Sequence, residues 1–158
     1  MAESEGVLER RLKSRRPITD LAMRATLNLD VASCYLLERF ERITEQENLS
    51  RTAYNLLRIL RGQPEGHPRG EIAARLTYRG ADVTRIVDGL VRRGLARRAR
   101  SRRDRRVSLT RITPKGLEVL ARLDAPIREV IDRYRRKLSG PELAELSRLL
   151  EALYADEL

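Results

Sequence analysis

The sequence predicts a mainly α-helical α+β fold, and three observations carry that expectation. Apolar residues recur at three- and four-residue spacing over most of the 158 residues. One stretch departs from that rhythm: Leu95 on one side, and Val107 and Leu109 alternating with polar residues on the other, enclose an arginine-rich turn in the manner of a β-hairpin. Hydroxyl side chains, prolines and glycines stand at the ends of the apolar stripes, where helices start and stop.

Residues 1–16 are short on apolar periodicity and end in Lys13, Arg15 and Arg16, so they read as a flexible basic arm or a short extra helix. After Pro17, the series Ile18, Leu21, Ala25, Leu29, Ala32, Leu36, Phe40 and Ile43 outlines one long amphipathic helix from Thr19 to about Glu47. Its length exceeds what a lone compact domain uses and points to a place between subunits. Ser50 is suited to cap a second helix, Arg51–Arg61, with Ala53, Leu56, Leu57 and Leu60 inward. The segment Gly62-Gln-Pro-Glu-Gly-His-Pro68 breaks the pattern and places His67 in a loop.

A short helix then covers Arg69–Leu76, with Ile72, Ala73 and Leu76 inward, and a turn at Thr77-Tyr-Arg-Gly80 leads to another helix, Ala81–Arg93. Val83, Ile86, Val87, Leu90 and Val91 form its apolar stripe. Gly94 is placed to end it in the left-handed conformation, with Leu95 packing back. The hairpin spans roughly Leu95–Ile112, its tip at Ser101–Asp104. Thr113-Pro114 reads as a helix start, and Pro126 predicts a kink or break near Asp124. Ser139-Gly-Pro-Glu142 is a capping box for a last helix whose leucines 143, 146, 150 and 153 are either core or dimer seam.

Charged residues make up 35% of the chain and apolar ones 41%, with a formal net charge of +10 and a pI near 10.7. That balance favours an anionic partner. Arginine supplies 30 of the 33 basic residues, and guanidinium is the better fork for phosphates. One cysteine, Cys34, excludes an internal disulfide framework and a multi-cysteine zinc site, and its closeness to the Tyr35/Leu36 stripe predicts inert packing. With one histidine, no phosphate loop and no nucleophile beside a base, the chain carries no enzyme signature, and no cofactor is implied. No apolar run approaches the ~18–20 residues of a membrane span, and the acidic first residues lack a signal-peptide centre; a cytoplasmic place is expected.

Seven arginines (97, 98, 100, 102, 103, 105 and 106) crowd around the single carboxylate of Asp104. Such a cluster costs self-repulsion that a polyanion reverses, because each phosphate contact releases counterions. The order helix–helix–turn–helix–hairpin–helix is that of a winged helix-turn-helix with a two-stranded β wing. Packing of the two apolar stripes over residues 69–93 leaves Ala81, Thr84, Arg85, Asp88 and Arg92 outward, with Arg79 in the turn. A helix fits the major groove, and Thr, Arg and Asp reach base edges. Asp88 either contacts a base or pairs with Arg85 or Arg92, while Asp104 braces the neighbouring arginines.

The chain resembles the MarR family of bacterial transcription regulators. The resemblance runs from Leu49-Ser-Arg-Thr-Ala-Tyr-Asn-Leu-Leu through Ile72-Ala-Ala-Arg-Leu, Val83-Thr-Arg-Ile-Val-Asp-Gly-Leu-Val-Arg-Arg-Gly-Leu and Asp104-Arg-Arg to Leu109-Thr-Arg-Ile-Thr-Pro-Lys-Gly116. It implies a homodimer that binds double-stranded DNA at a pseudo-palindromic operator, with Arg79 to Asp88 facing the major groove and Asp104 and Arg106 holding and inserting the wing. Arg79 stands where the family usually has a capping Ser or Thr, and Gly89 replaces a commonly basic residue. The expected organisation is an arm (1–16), a dimerisation helix (17–48), the winged domain (49–113) and C-terminal dimerisation helices (114–158). The expected DNA-binding residues are Arg79, Ala81, Thr84, Arg85, Asp88, Arg103, Asp104, Arg105 and Arg106. The function read from all this is a dimeric, sequence-specific regulator, a repressor responsive to a small-molecule effector of unidentified nature. A non-specific architectural or RNA-associated nucleic-acid binder is the alternative.

Overall fold

Capping chemistry sets the helix starts. Ser50, Thr113 and Ser139 accept hydrogen bonds from the backbone N–H groups of Ala53, Gly116 and Glu142, at 3.2, 3.1 and 3.5 Å. Glu142 returns a carboxylate to the Ser139 N–H at 2.7 Å, completing the capping box. A computed structural model of the protein describes residues 6–78, 80–101 and 104–157. Its elements in chain order are α1 (Val7–Leu12), α2 (Leu21–Glu45), α3 (Arg51–Arg61), β1 (His67–Pro68), α4 (Arg69–Arg75), α5 (Val83–Arg92), β2 (Ala96–Arg100), β3 (Ser108–Ile112), α6 (Pro114–Arg135) and α7 (Gly140–Ala152), followed by a 3₁₀ turn, Ala155–Glu157.

The chain divides into two compact units, residues 1–39 and residues 40–158. In the first, α1 realises the short-helix alternative for the N-terminal segment; residues 1–5 lie outside the described residues. The Glu9 carboxylate is buried and accepts hydrogen bonds from the Arg24 guanidinium, at 2.5 and 3.3 Å, and from the Ile18 N–H at 3.3 Å. Arg24, above all by its hydrogen bonds, holds that carboxyl below the usual carboxylate range. The Arg11 guanidinium lies 5.3 Å from the Tyr35 ring centre, within cation–π reach. Cys34 is exposed in this unit. The expectation of inert packing fails because the α2 stripe meets little apolar surface within one protomer: Thr44, near its end, is the buried residue of that helix.

The second unit holds the core. Leu56, Leu57 and Leu60 of α3 meet Ile72 of α4, Leu90 of α5 and Leu120 of α6. Each is at most 2% exposed, so the close-packed interior sits where these four helices converge. Gly94 has φ +71 and ends α5 as expected, and Leu95 behind it is buried.

The expected two-stranded wing, β2 with β3, is present, and β1 adds a third strand in the order β1-β3-β2, all antiparallel. Three expectations are corrected. His67 pairs with Thr110 and Pro68 with Leu109, so His67 belongs to a strand, which a two-residue element cannot announce by periodicity. The helix expected to kink or break near Asp124 is continuous from Pro114 to Arg135, with Pro126 inside. Leu123, Ile127 and Val130 are buried on both sides of the proline, and Arg61 clamps both oxygens of Asp124 at 3.0 and 2.8 Å, so tertiary contacts outweigh the missing N–H. The helix expected from Ala81 starts at Val83, two residues later, because Asp82 is its cap and accepts from the Arg85 N–H at 3.0 Å.

α7 buries none of its residues within the protomer, so its leucine ladder is not core: Leu146, Leu149 and Leu153 are exposed. Among the described residues no helix is long and apolar enough to cross a membrane.

Candidate nucleic-acid interface

α5 is amphipathic, and its buried stripe of Val83, Val87 and Leu90 fixes which side faces out. Thr84, Arg85 and Arg92 are exposed and Asp88 is half-buried. Each end of the helix is tied to a different part of the unit. At its start the Asp82 cap works alongside the turn, where the Asn55 side-chain amide donates to the Thr77 hydroxyl at 3.2 Å. At its end the Arg93 guanidinium donates to the carbonyls of Asn48 and Glu47, both at 2.6 Å. Lys115 and Thr113, at the start of α6, donate to the Arg93 and Gly94 carbonyls at 3.0 and 2.7 Å. The carbonyls of Arg93 and Gly94, just past the helix end, are thereby satisfied.

The polar face of α5 receives arginines from two neighbours. Arg69, first residue of α4, donates to the Thr84 hydroxyl at 3.3 Å. Arg98, in the middle of β2, donates to Asp88 Oδ1 and forms an ion pair with it. Asp88 therefore pairs with the wing strand, not with Arg85 or Arg92. Among the described residues nothing engages the Arg85 guanidinium, which leaves it free for a ligand.

The wing is shaped by backbone hydrogen bonds. Strand pairing ends at Arg100–Ser108, and the Ser101 N–H donates to the Val107 carbonyl at 2.9 Å, so the tip covers residues 101–107, wider than expected. Asp104 Oδ1 accepts from the Arg106 N–H at 2.9 Å, and the Asp104 carbonyl accepts from the Val107 N–H at 3.0 Å. Asp104 thus braces the turn through its backbone, leaving Arg105 and Arg106 exposed. Arg98, Arg100, Arg105 and Arg106 edge a recess of about 370 Å³. A second recess, about 420 Å³, lies between the α2–α3 connection and α5, and its lining includes Ala53, Ile86 and Leu90 together with Asp82, Arg85 and Arg93. Among the described residues no group of three metal-ligating side chains converges.

A MarR family sequence model matches residues 47–107. A MarR transcription factor from Planctomyces limnophilus is 36% identical, with a TM-score of 0.63 over 86% of this chain and 99% of its own. The chain belongs to the MarR family. Its fold is the family's winged helix, and the family is one of transcriptional regulators. The transcriptional repressor CouR, bound to a 23-mer DNA duplex, matches with a TM-score of 0.74 and 27% identity over 89% of this chain and 99% of its own. The HTH-type transcriptional repressor IacR of Pseudomonas putida is 28% identical over 117 residues, 74% of this chain and 70% of its own.

Within this MarR-family unit the expected site residues that are described fall into three groups. Thr84, Arg85 and Asp88 share the outward face of α5, and Asp104, Arg105 and Arg106 share the wing tip. Ala81 precedes the helix and packs, partly buried, against the core. Arg79 and Arg103 lie outside the described residues. Sequence reasoning missed Asp82, although an Asp just before an apolar stripe is a cap signal. It also missed the roles of Arg69, Arg93 and Arg98, whose partners lie 15, 45 and 10 residues away and leave no local trace.

Proposed function

We propose that this MarR-family regulator is a dimeric, sequence-specific repressor that binds double-stranded DNA at a pseudo-palindromic operator. α5 enters the major groove, where Arg85 and Thr84 reach base edges, and the wing carries Arg105 and Arg106 to the adjoining backbone or minor groove. Arg79 and Arg103 complete the proposed set of DNA-binding residues. The observation that carries the reading is the free Arg85 guanidinium on the outward face of a capped helix, beside a wing whose exposed tip is arginine.

Residues 17–48 and 114–158 form the dimer arms around the winged domain of residues 49–113. The exposed leucines of α7 support this, since burying them against a second copy removes apolar surface from water. Two-fold symmetry then sets the recognition helices about one DNA turn apart, ~34–36 Å. A small-molecule effector shifts that separation. The protein acts in the cytoplasm, as a binding protein and not an enzyme, without a cofactor.

Selection of genomic fragments by the purified protein, followed by competition against random duplex, tests the reading. A specific regulator prefers its site by ~10³-fold or more. Equal affinity for all duplexes and for RNA overturns it in favour of a non-specific nucleic-acid binder.

A further inference from the structure

Two independent features meet at Arg98. The first is its place in the sheet. Arg98 pairs with Thr110, and Thr110 pairs with His67, so Arg98 stands on the line that crosses all three strands. Cross-strand partners share a face, and Thr110 is buried, so Arg98 leaves the sheet on the side where β2 meets α5. There it meets Asp88. The second feature is the wing recess of about 370 Å³, whose lining includes Arg98, Arg100, Arg105 and Arg106 and, among the described residues, no carboxylate. Arg100 donates to the Arg105 carbonyl at 3.3 Å, which holds one wall of the recess to the other.

We propose that this recess seats one phosphate of the DNA backbone between the recognition helix and the wing, and that Asp88 is a positioning residue that aims Arg98 into it. A guanidinium has five N–H donors in a fixed fork. Asp88 occupies one of them, which sets the plane of the group and leaves others for two parallel bonds to a phosphate. Asp88 offsets the charge of Arg98, but Arg100, Arg105 and Arg106 line the same recess and repel each other until an anion enters, so the recess binds phosphate more strongly than the same arginines spread over a surface. Asp88 reads no base in this arrangement: a lone carboxylate beside a polyanion is repelled, and its pairing with Arg98 cancels that charge.

The inference rests on the DNA-binding reading, and the experiment separates the two. The full-length protein is titrated with its selected duplex and with random duplex over a salt series, and phosphate-ethylation interference is mapped on the selected duplex. Arg98→Ala is expected to weaken both duplexes alike, to lower the log–log salt slope by about 1, and to erase interference at one phosphate per half-site. Asp88→Asn is expected to keep the base preference at every operator position while losing interference at that same phosphate. Arg97→Ala, one residue away on the opposite face of β2, is expected to keep the interference at that phosphate.

Arg98→Gln keeps the bulk of the side chain and is expected to repeat the Arg98→Ala result, so misfolding of one variant does not shelter the proposal. A change of base preference at one position in Asp88→Asn, with interference intact, overturns it in favour of a base-reading Asp88. Wild-type slope and interference in both Arg98 variants overturn it too. Failure of the wild-type protein to bind any duplex at low ionic strength overturns the regulator reading itself.

Discussion

The Arg122 guanidinium closes on the Glu47 carboxylate with two hydrogen bonds, 2.5 and 2.9 Å, joining α6 to the turn after α2 across 75 residues of sequence. The same turn receives Arg93 from the end of α5 on its carbonyls, so three helices are registered at one short connection. Those bonds from Arg122 hold the Glu47 carboxyl below its ordinary value of 4.5. A lowered carboxylate contributes stability that is present above the unfolded value and is lost as pH falls through the folded one. Glu47→Gln should therefore melt below wild type at neutral pH, and the two should converge as the pH drops below about 4.5. Thermal melts from neutral to acid pH check this; a gap that persists unchanged in acid would refute the assignment.

Asp82 anchors the start of α5 through its bond to the Arg85 N–H. Asp82→Ala removes that cap and should cost about 1 kcal/mol of unfolding free energy, while Asp82→Ser should recover most of it. Urea unfolding of the two variants gives the comparison.

Gly116, in the first turn of α6, has no room for a side chain. A Cβ there would stand 2.2 Å from the Leu95 carbonyl oxygen and 2.8 Å from Ile112 Cγ1, and the former is backbone at the root of the hairpin. Gly116→Ala should destabilise by about 1–3 kcal/mol, as overpacking does. Gly140→Ala is the control: a Cβ there meets nothing within 4 Å, and its stability should stay within about 1 kcal/mol of wild type. Equal effects at both positions would show that the hairpin root yields.

Arg85 and Arg106 should fail in different ways. Arg85→Ala is expected to relax preference at one operator position by about 1–3 kcal/mol, because a base contact is lost. Arg106→Ala should weaken binding to every duplex and flatten the salt slope, because a phosphate contact is lost. Parallel titrations on cognate and random duplex decide between them, and equal losses on both for Arg85→Ala count against a base-reading role.

Leu146, Leu149 and Leu153 share one exposed face of α7, and Leu149 is 49% exposed. Leu149→Arg places a charge in the proposed seam and should shift sedimentation from dimer toward monomer, with operator affinity falling in step. An unchanged dimer would remove α7 from the interface.

Helix positions, most of their ends and the basic wing were legible in the chain because each is encoded locally. Periodicity marks a buried stripe within one segment, and the hydroxyls of Ser50, Thr113 and Ser139 bond N–H groups only three residues ahead. Where the local rule predicted a break, at Pro126, buried neighbours on both sides and the Arg61–Asp124 clamp overrode it. Where the local pattern was silent, at His67-Pro68, pairing with β3 made a strand from two residues.

The site divides the same way. That α5 shows Thr84, Arg85 and Asp88 on one side follows from the spacing of its own apolar residues. Which of them is free follows from partners folded in from elsewhere: Arg69 takes Thr84, Arg98 takes Asp88, and Arg85 is left over. Residue order along the chain can specify a face, because a helix repeats every 3.6 residues. Ion pairs between segments depend on how close the folded backbone brings two side chains, and that distance is written nowhere in either segment alone.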